Sequence, residues 1–465
     1  RKALNDFFYG DDFGFMDEAR AIHFFEIDKL WQNIISIIQP LWFRAEFVYF
    51  FISNLLESLF GANAFWYHLH NILLHGVNSF LVFGIARKLT NSFKVSLIGC
   101  FLFLSNPLFA ETVYWNTGAH TLYVAFFILL TLWSYSRAYY RAALLFFALA
   151  MCAKPEASAL LPYIVMLDIA LFEFGSGREF RKRIVPFLLS ACCLFGIYAL
   201  YYRNAAAWPV PEHRFSFHLQ TNFPEQIFRN FSYLVFPNQR LYYLAIPLFF
   251  SLFYLNLKSR EKRLLLFGCV FLFFSILPYQ LFIIDPNGFY FFKLGTSRYF
   301  YIPAIGQAFF LMSAFGIVLS RVGRAAHFCI CAVFGVFILL NMLTVGKLDK
   351  LFEEREYYYK TLVKGVEPYF KENKDKFFVL FDFPSFADPV LKSFYTSDFP
   401  LMSGIFFDYR LFSVSELGSP PDSSWIKERY SILPPQDAVI ILKFDGRRIV
   451  PLPPQDKDMY YRNFI

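Results

Sequence analysis

Five acids crowd into 13 residues near the start of the chain: Asp6, Asp11, Asp12, Asp17 and Glu18, interleaved with aromatics and glycines. Carboxylates in such a run can take a proton from a hydroxyl acceptor, or can hold a divalent cation (Mg or Mn) that bridges a phosphate. A solvated acidic loop explains the same composition without chemistry. Glu111 stands in Asn106-Pro107-Leu108-Phe109-Ala110-Glu111-Thr112-Val113-Tyr114-Trp115, where an acid beside Tyr and Trp can line a sugar site. An interfacial aromatic belt with one acid is the plain alternative. Lys154-Pro155-Glu156 interrupts an apolar stretch from Ala142 to Phe172. Charges at membrane depth face a cavity or each other, and a broken helix often marks a binding site. A tight turn between two short spans reads equally well. Arg298-Tyr299 follows the aromatic loop Phe289–Phe292, and an Arg there can grip a phosphate in two-pronged fashion, or simply snorkel to the interface.

These residues have to be held by membrane helices. Of the 465 residues 57% are hydrophobic and only 17% charged, whereas soluble domains carry about 25% charged residues. Mean hydropathy is +0.41. The apolar residues form blocks at 64–86, 94–110, 118–136, 142–153, 157–173, 184–202, 241–257, 264–283, 299–320 and 325–346, with a short, interfacial stretch at 223–236. Most of these blocks match the roughly 20 residues that cross a bilayer. The expected fold is an all-α polytopic membrane protein of about 10–12 transmembrane helices.

Fifteen Lys and Arg fall in five short connections: 87–94, 137–141, 178–183, 258–263 and 321–324. The alternate connections carry fewer, so the basic set is expected to be cytoplasmic. Residues 1–63, the loops at 106–118, 203–240 and 284–298, and the tail from 348 then share the extracytoplasmic face. The division is a first extracytoplasmic loop (1–63), a helical domain (64–347) and a C-terminal domain (348–465). The last turns richer in Pro, Asp, Lys and Ser, with strand-like runs at Phe377–Phe381 and Ala438–Phe444, as expected of a small α/β unit. The chain opens at Arg1 rather than at a Met, which suggests that a signal anchor or first helix precedes it. The net charge of +8 is spread over short loops and does not indicate nucleic-acid binding. The seven cysteines and eight histidines show no metal-ligand spacing, and packing is the expected role of His68, His70 and His75.

In order along the chain, Asp11-Asp12, Gln39-Pro40-Leu41, Tyr67-His68-Leu69-His70-Asn71-Ile72-Leu73-Leu74-His75, Pro107…Glu111-Thr112-Val113…Trp115, Lys154…Glu156 and Ser297-Arg298-Tyr299-Phe300-Tyr301-Ile302-Pro303-Ala304-Ile305-Gly306 resemble one family. It is the protein O-mannosyltransferase-like group of GT-C glycosyltransferases, closest to its transmembrane-and-tetratricopeptide members. The resemblance runs over about residues 1–347 and leaves out the tetratricopeptide tail. It implies transfer of a sugar from a polyprenyl-phosphate-linked donor to a protein or glycan acceptor on the extracytoplasmic face, with inversion. Carried over, Asp11 or Asp12 is the base, while Arg298, Lys154 and Tyr299 hold the donor phosphate. Glu111, Trp115 and Glu156 bind substrate. The sequence departs from the pattern where Asn106 and Phe109 replace two histidines. It does so again where Pro155 enters the Lys-Glu step and where Ser297 replaces a Glu. A catalytically silent scaffold and a lipid-linked-glycan transporter are the competing readings.

Overall fold

A computed structural model describes residues 47–154, 157, 159–172, 177–205, 258–282, 297–373, 377–381, 411–413, 439–444 and 449–451. Its helices are α1 (Phe47–Phe60), α2 (Ala64–Thr90), α3 (Phe93–Leu104), α4 (Ala110–Tyr114), α5 (Ala119–Ser136), α6 (Tyr140–Ala153), α7 (Leu160–Phe172), α8 (Gly177–Ala205), α9 (Ser259–Phe282), α10 (Tyr301–Leu319) and α11 (Arg324–Glu372). Short 3-10 turns at Pro107–Phe109, Asn116–Gly118 and Ser297–Phe300 sit between them. Among the described residues four helices are long and apolar enough to cross a bilayer, or up to five if α3 and its bent continuation count as one; α6 and α7 are shorter and apolar. The protein is an all-α integral membrane protein with a small C-terminal sheet. The block at 241–257 lies outside the described residues.

Helix ends follow local chemistry. Asn63 caps α2 by accepting from the Phe65 amide (3.2 Å), and Asn91 closes it in the left-handed region at φ 55°. The sequence block 94–110 is not one helix: Pro107 lacks the amide needed to continue, and the chain bends by 45° between Phe93–Leu104 and Pro107–Tyr114. The Asn106 side chain re-satisfies the break by accepting from the Leu108 amide (3.0 Å). Helix α6 stops at Lys154, ahead of Pro155.

On α2 the packing differs from that of a soluble bundle. On α2 the buried stripe includes Tyr67, His68, Asn71, His75, Asn78 and Val82, whereas Leu73, Val77 and Phe80 are exposed. Lipid is as apolar as a protein core, so polar residues turn inward and apolar ones outward. Helices α9 and α10 approach through glycines: a Cβ on Gly268 would come within 2.6 Å of the Phe310 Cα, and one on Gly306 within 2.8 Å of the Leu272 nitrogen. Tyr163 of α7 stacks on Phe271 of α9 at 3.9 Å between centroids.

Polar ties gather the basic connections at one end of the bundle. Arg260 donates to the Leu89 carbonyl at the end of α2 (2.9 Å), and Arg321 pairs with Glu261 (3.0 Å). Arg183 makes a two-pronged pair with the fully buried Asp168 (2.6 and 3.0 Å), to which the Tyr135 hydroxyl also donates (2.6 Å). The Asp168 contacts hold the Arg183 guanidinium above its ordinary pKa.

Helix α11 runs on past the expected end at 346 through 49 residues, about 74 Å at 1.5 Å per residue. Neither Gly346 nor the following charged residues stop it, and Lys371 pairs with Glu367 one turn away (2.5 Å). Its last turns pack on a four-stranded sheet in the order β2-β1-β3-β4, with β1 (Phe377–Phe381), β2 (Leu411–Ser413), β3 (Val439–Phe444) and β4 (Ile449–Pro451). Strand β1 is parallel to β2 and β3, and β4 is antiparallel to β3. Leu362 and Val366 of the helix are buried along with Phe378, Leu442 and Ile449 of the sheet, and Gly365 leaves room for Ile449.

Candidate functional site

At the end of the bundle opposite the basic connections, four short segments meet. Helix α4 packs against the Ser297–Phe300 turn and the Asn116–Gly118 turn, and the Pro107–Phe109 turn packs against Ser297–Phe300 as well. Gly118 makes the fold-back possible: a Cβ there would lie 2.9 Å from the Thr112 Cα and 3.0 Å from the Glu111 carbonyl oxygen. Glu111, on α4, is 2% exposed, and Trp115, which ends that helix, is 4% exposed.

Lys154 joins this cluster from the end of α6. It is 6% exposed, and its Nζ lies 5.7 Å from the centroid of the Tyr299 ring. A desolvated ammonium over an aromatic face is an attractive cation-π contact. Arg298 belongs to the same 3-10 turn as Tyr299. The fold therefore brings the backbone of Arg298 and the residues Tyr299, Lys154, Glu111 and Trp115 to one region. Asp11, Asp12 and Glu156 lie outside the described residues.

The two stretches that carry the family resemblance best are joined by a buried network. His75 Nδ1 is 2.8 Å from the Tyr301 hydroxyl, and Asn78 Nδ2 donates to the same oxygen (3.2 Å) and to the Leu122 carbonyl (3.2 Å). His75 Nε2 lies 3.3 Å from the Leu104 carbonyl, and Asn71 donates to the Val113 carbonyl (3.4 Å). His70 Nε2 is 2.7 Å from the Tyr123 hydroxyl. His75 and Asn71 thus meet carbonyls where α3 and α4 end, and they fix the site's frame. Among the described residues no three of His, Cys, Asp and Glu come together as a metal site.

Two framing residues take roles that the sequence alone did not assign, although Asn106 stood out as a departure from the family pattern. Asn106 donates to the Gln307 side chain, tying the break before α4 to α10. Gly118 had no role assigned from sequence. Its signal was the Asn-Thr-Gly turn between two apolar blocks.

Residues 44–202 match the dolichyl-phosphate-mannose-protein mannosyltransferase family. The match is a likeness of that segment and covers about a third of the chain. That segment runs from just before α1 to near the end of α8 and holds Glu111, Trp115 and Lys154 within its bounds; Arg298 and Tyr299 fall beyond it. Among curated proteins and solved structures, none matches the chain. The likeness agrees with the helical membrane architecture.

Proposed function

We propose that this protein moves a mannose-type sugar from a polyprenyl-phosphate donor to a protein or glycan acceptor on the extracytoplasmic face of the membrane. The observation that carries the reading is the buried Lys154 ammonium over Tyr299, whose turn also carries Arg298 and packs against the helix that bears Glu111. A buried cation at a helix break suits a lipid-linked phosphate, whose charge is fixed in the bound donor and grows as it leaves. The acceptor hydroxyl loses its proton to Asp11 or Asp12 as the sugar is displaced with inversion, and Glu111, Glu156 and Trp115 take part in holding substrate. The domain division at 63 and 347 and the shared extracytoplasmic face of the two ends belong to the same proposal, supported by the basic residues gathered at the far end of the bundle.

The test is binding of polyprenyl phosphate to protein in nanodiscs. Lys154→Gln and Arg298→Gln should each weaken it by about 10- to 100-fold, the worth of one charged hydrogen-bonding partner. Unchanged affinity in both variants would remove these residues from the phosphate site.

A further inference from the structure

The inward stripe of α2 holds more polar atoms than its neighbours satisfy. His68 is wholly buried, and neither ring nitrogen has a hydrogen-bond partner among the described residues. One turn along, Asn71 donates through Nδ2 to the Val113 carbonyl of α4, while its Oδ1 is buried without a donor. Thr112, beside Val113 on α4, is wholly buried, and its hydroxyl has no partner either. Buried polar atoms are paired in all but a few instances, so this cluster requires an explanation. Packing, the role expected of His68 from its place in the sequence, does not supply one. An apolar side chain would fill the same space without stranding two nitrogens.

Residue-level contacts place these atoms at the candidate site. Positions three and seven apart share a helix face, so His68 stands one turn outward of Asn71 and two turns outward of His75. The Asn71 bond to Val113 fixes where α4 crosses this face. His75 meets the Leu104 carbonyl and the Phe109 ring, whose centroid is 4.4 Å from its own, just ahead of α4 in the chain. The strap from Pro107 to Gly118 therefore lies over the outer end of the stripe, and the same strap bears Glu111 and Trp115. It begins at a 45° bend and ends at Gly118, folded back on the Thr112 backbone. In this state the site is shut: Glu111, Trp115 and Lys154 are at most 6% exposed, too little for a lipid phosphate or a sugar to reach them.

Resting on the proposed glycosyltransferase reading, we infer that His68, with Asn71 and Thr112, binds the hydroxyls of the donor's sugar once the Pro107–Gly118 strap lifts. A neutral imidazole donates from one nitrogen and accepts at the other, a hydroxyl does both, and the Asn oxygen accepts. Donors and acceptors without charge suit a sugar, whereas the phosphate is met by Lys154 and Arg298. The energetics run the same way. Each atom stranded in the shut state raises its free energy, and that penalty is relieved when sugar hydroxyls supply the partners.

The experiment compares two probes on full-length protein in nanodiscs: polyprenyl-phosphate mannose and bare polyprenyl phosphate. His68→Phe should weaken the mannosyl lipid by about 5- to 100-fold, the worth of two neutral hydrogen bonds. Thr112→Val, which keeps the shape and removes one hydroxyl, should weaken it by about 2- to 10-fold. Both should leave the bare lipid phosphate within about twofold, as expected of residues that do not meet it. In the ligand-free protein both should raise the midpoint of thermal unfolding, because each removes atoms that the shut state strands. A merely structural role would lower stability and binding together. Thr112→Val decides alone if the larger ring of His68→Phe prevents folding. Wild-type affinity of the variants for the mannosyl lipid would overturn the assignment, and so would an equal loss for both probes or a lowered midpoint. Failure of wild type to bind either probe would instead strike the glycosyltransferase reading itself and take this inference with it.

Discussion

Replacing Tyr301 by Phe removes one oxygen from the point where α2 meets α10. That hydroxyl is 2.8 Å from His75 Nδ1 and 3.2 Å from Asn78 Nδ2, and all three residues are buried. The two partners lose unequally. Asn78 Nδ2 still donates to the Leu122 carbonyl, and His75 Nε2 keeps the Leu104 carbonyl, so one ring nitrogen is stranded. Stranding one buried polar atom costs about 1–3 kcal/mol. Thermal unfolding in detergent should therefore show a clear loss for Tyr301→Phe. His75→Leu should show a loss of similar size, since it strips the Leu104 carbonyl of a partner. The double variant should cost less than the two added together, with a coupling of about 0.5–3 kcal/mol, because it removes both ends of the bond. Tyr301 also opens α10 directly behind the turn that carries Arg298 and Tyr299, so donor binding should weaken with stability. Wild-type stability for Tyr301→Phe, or strict additivity with His75→Leu, would refute the claim that this contact ties the two helices.

Arg183→Met leaves Asp168 fully buried without its guanidinium and should destabilise the protein by about 3–5 kcal/mol, while Arg183→Met with Asp168→Leu should recover most of that loss. Both are measured by thermal unfolding, and a neutral Arg183→Met would discount the pair. Gly306→Val should abolish folded expression because its Cβ meets the backbone of Leu272, whereas Gly335→Ala, with open space around it, should behave as wild type. Size-exclusion chromatography separates those outcomes. In a cysteine-less background, single cysteines at Asn5 and Ser423 should label with a membrane-impermeant reagent from the same face, opposite to one at Arg178; labelling of the first two from opposite faces would defeat the proposed topology.

The helices were legible because their signal is bulk composition: apolar blocks at 64–86, 118–136 and 299–320 became α2, α5 and α10. Strands at Phe377–Phe381 and Val439–Phe444 followed from their β-branched and aromatic runs, although their pairing, with β1 in the middle, comes from contacts no local pattern encodes. The bend in the 94–110 block was written in Pro107, but apolarity on both sides hid it. Helix α11 outran its apolar block because hydropathy marks where a helix leaves lipid, not where it ends. Of the site, residue types at span ends pointed to Glu111, Trp115, Lys154 and Tyr299, and the structure gathers the segments that carry them. The means of gathering was hidden. Gly118 matters through the backbone it touches, and His75 through a tyrosine 226 positions away.

The central claim is that the chain transfers a sugar from a lipid phosphate, and the most direct measurement is donor turnover. Purified wild type in nanodiscs is given polyprenyl-phosphate mannose and a membrane extract as acceptor source, and release of polyprenyl phosphate is followed beside Asp11→Asn, Asp12→Asn and Lys154→Gln. The account predicts turnover by wild type. It predicts a fall of about 10²–10⁴ in one of the two Asp variants with donor affinity retained, as expected for loss of a base. Lys154→Gln should lose both affinity and rate, because it meets the phosphate in the bound donor and in the transition state. No turnover by wild type, together with no affinity for the donor, would contradict the account.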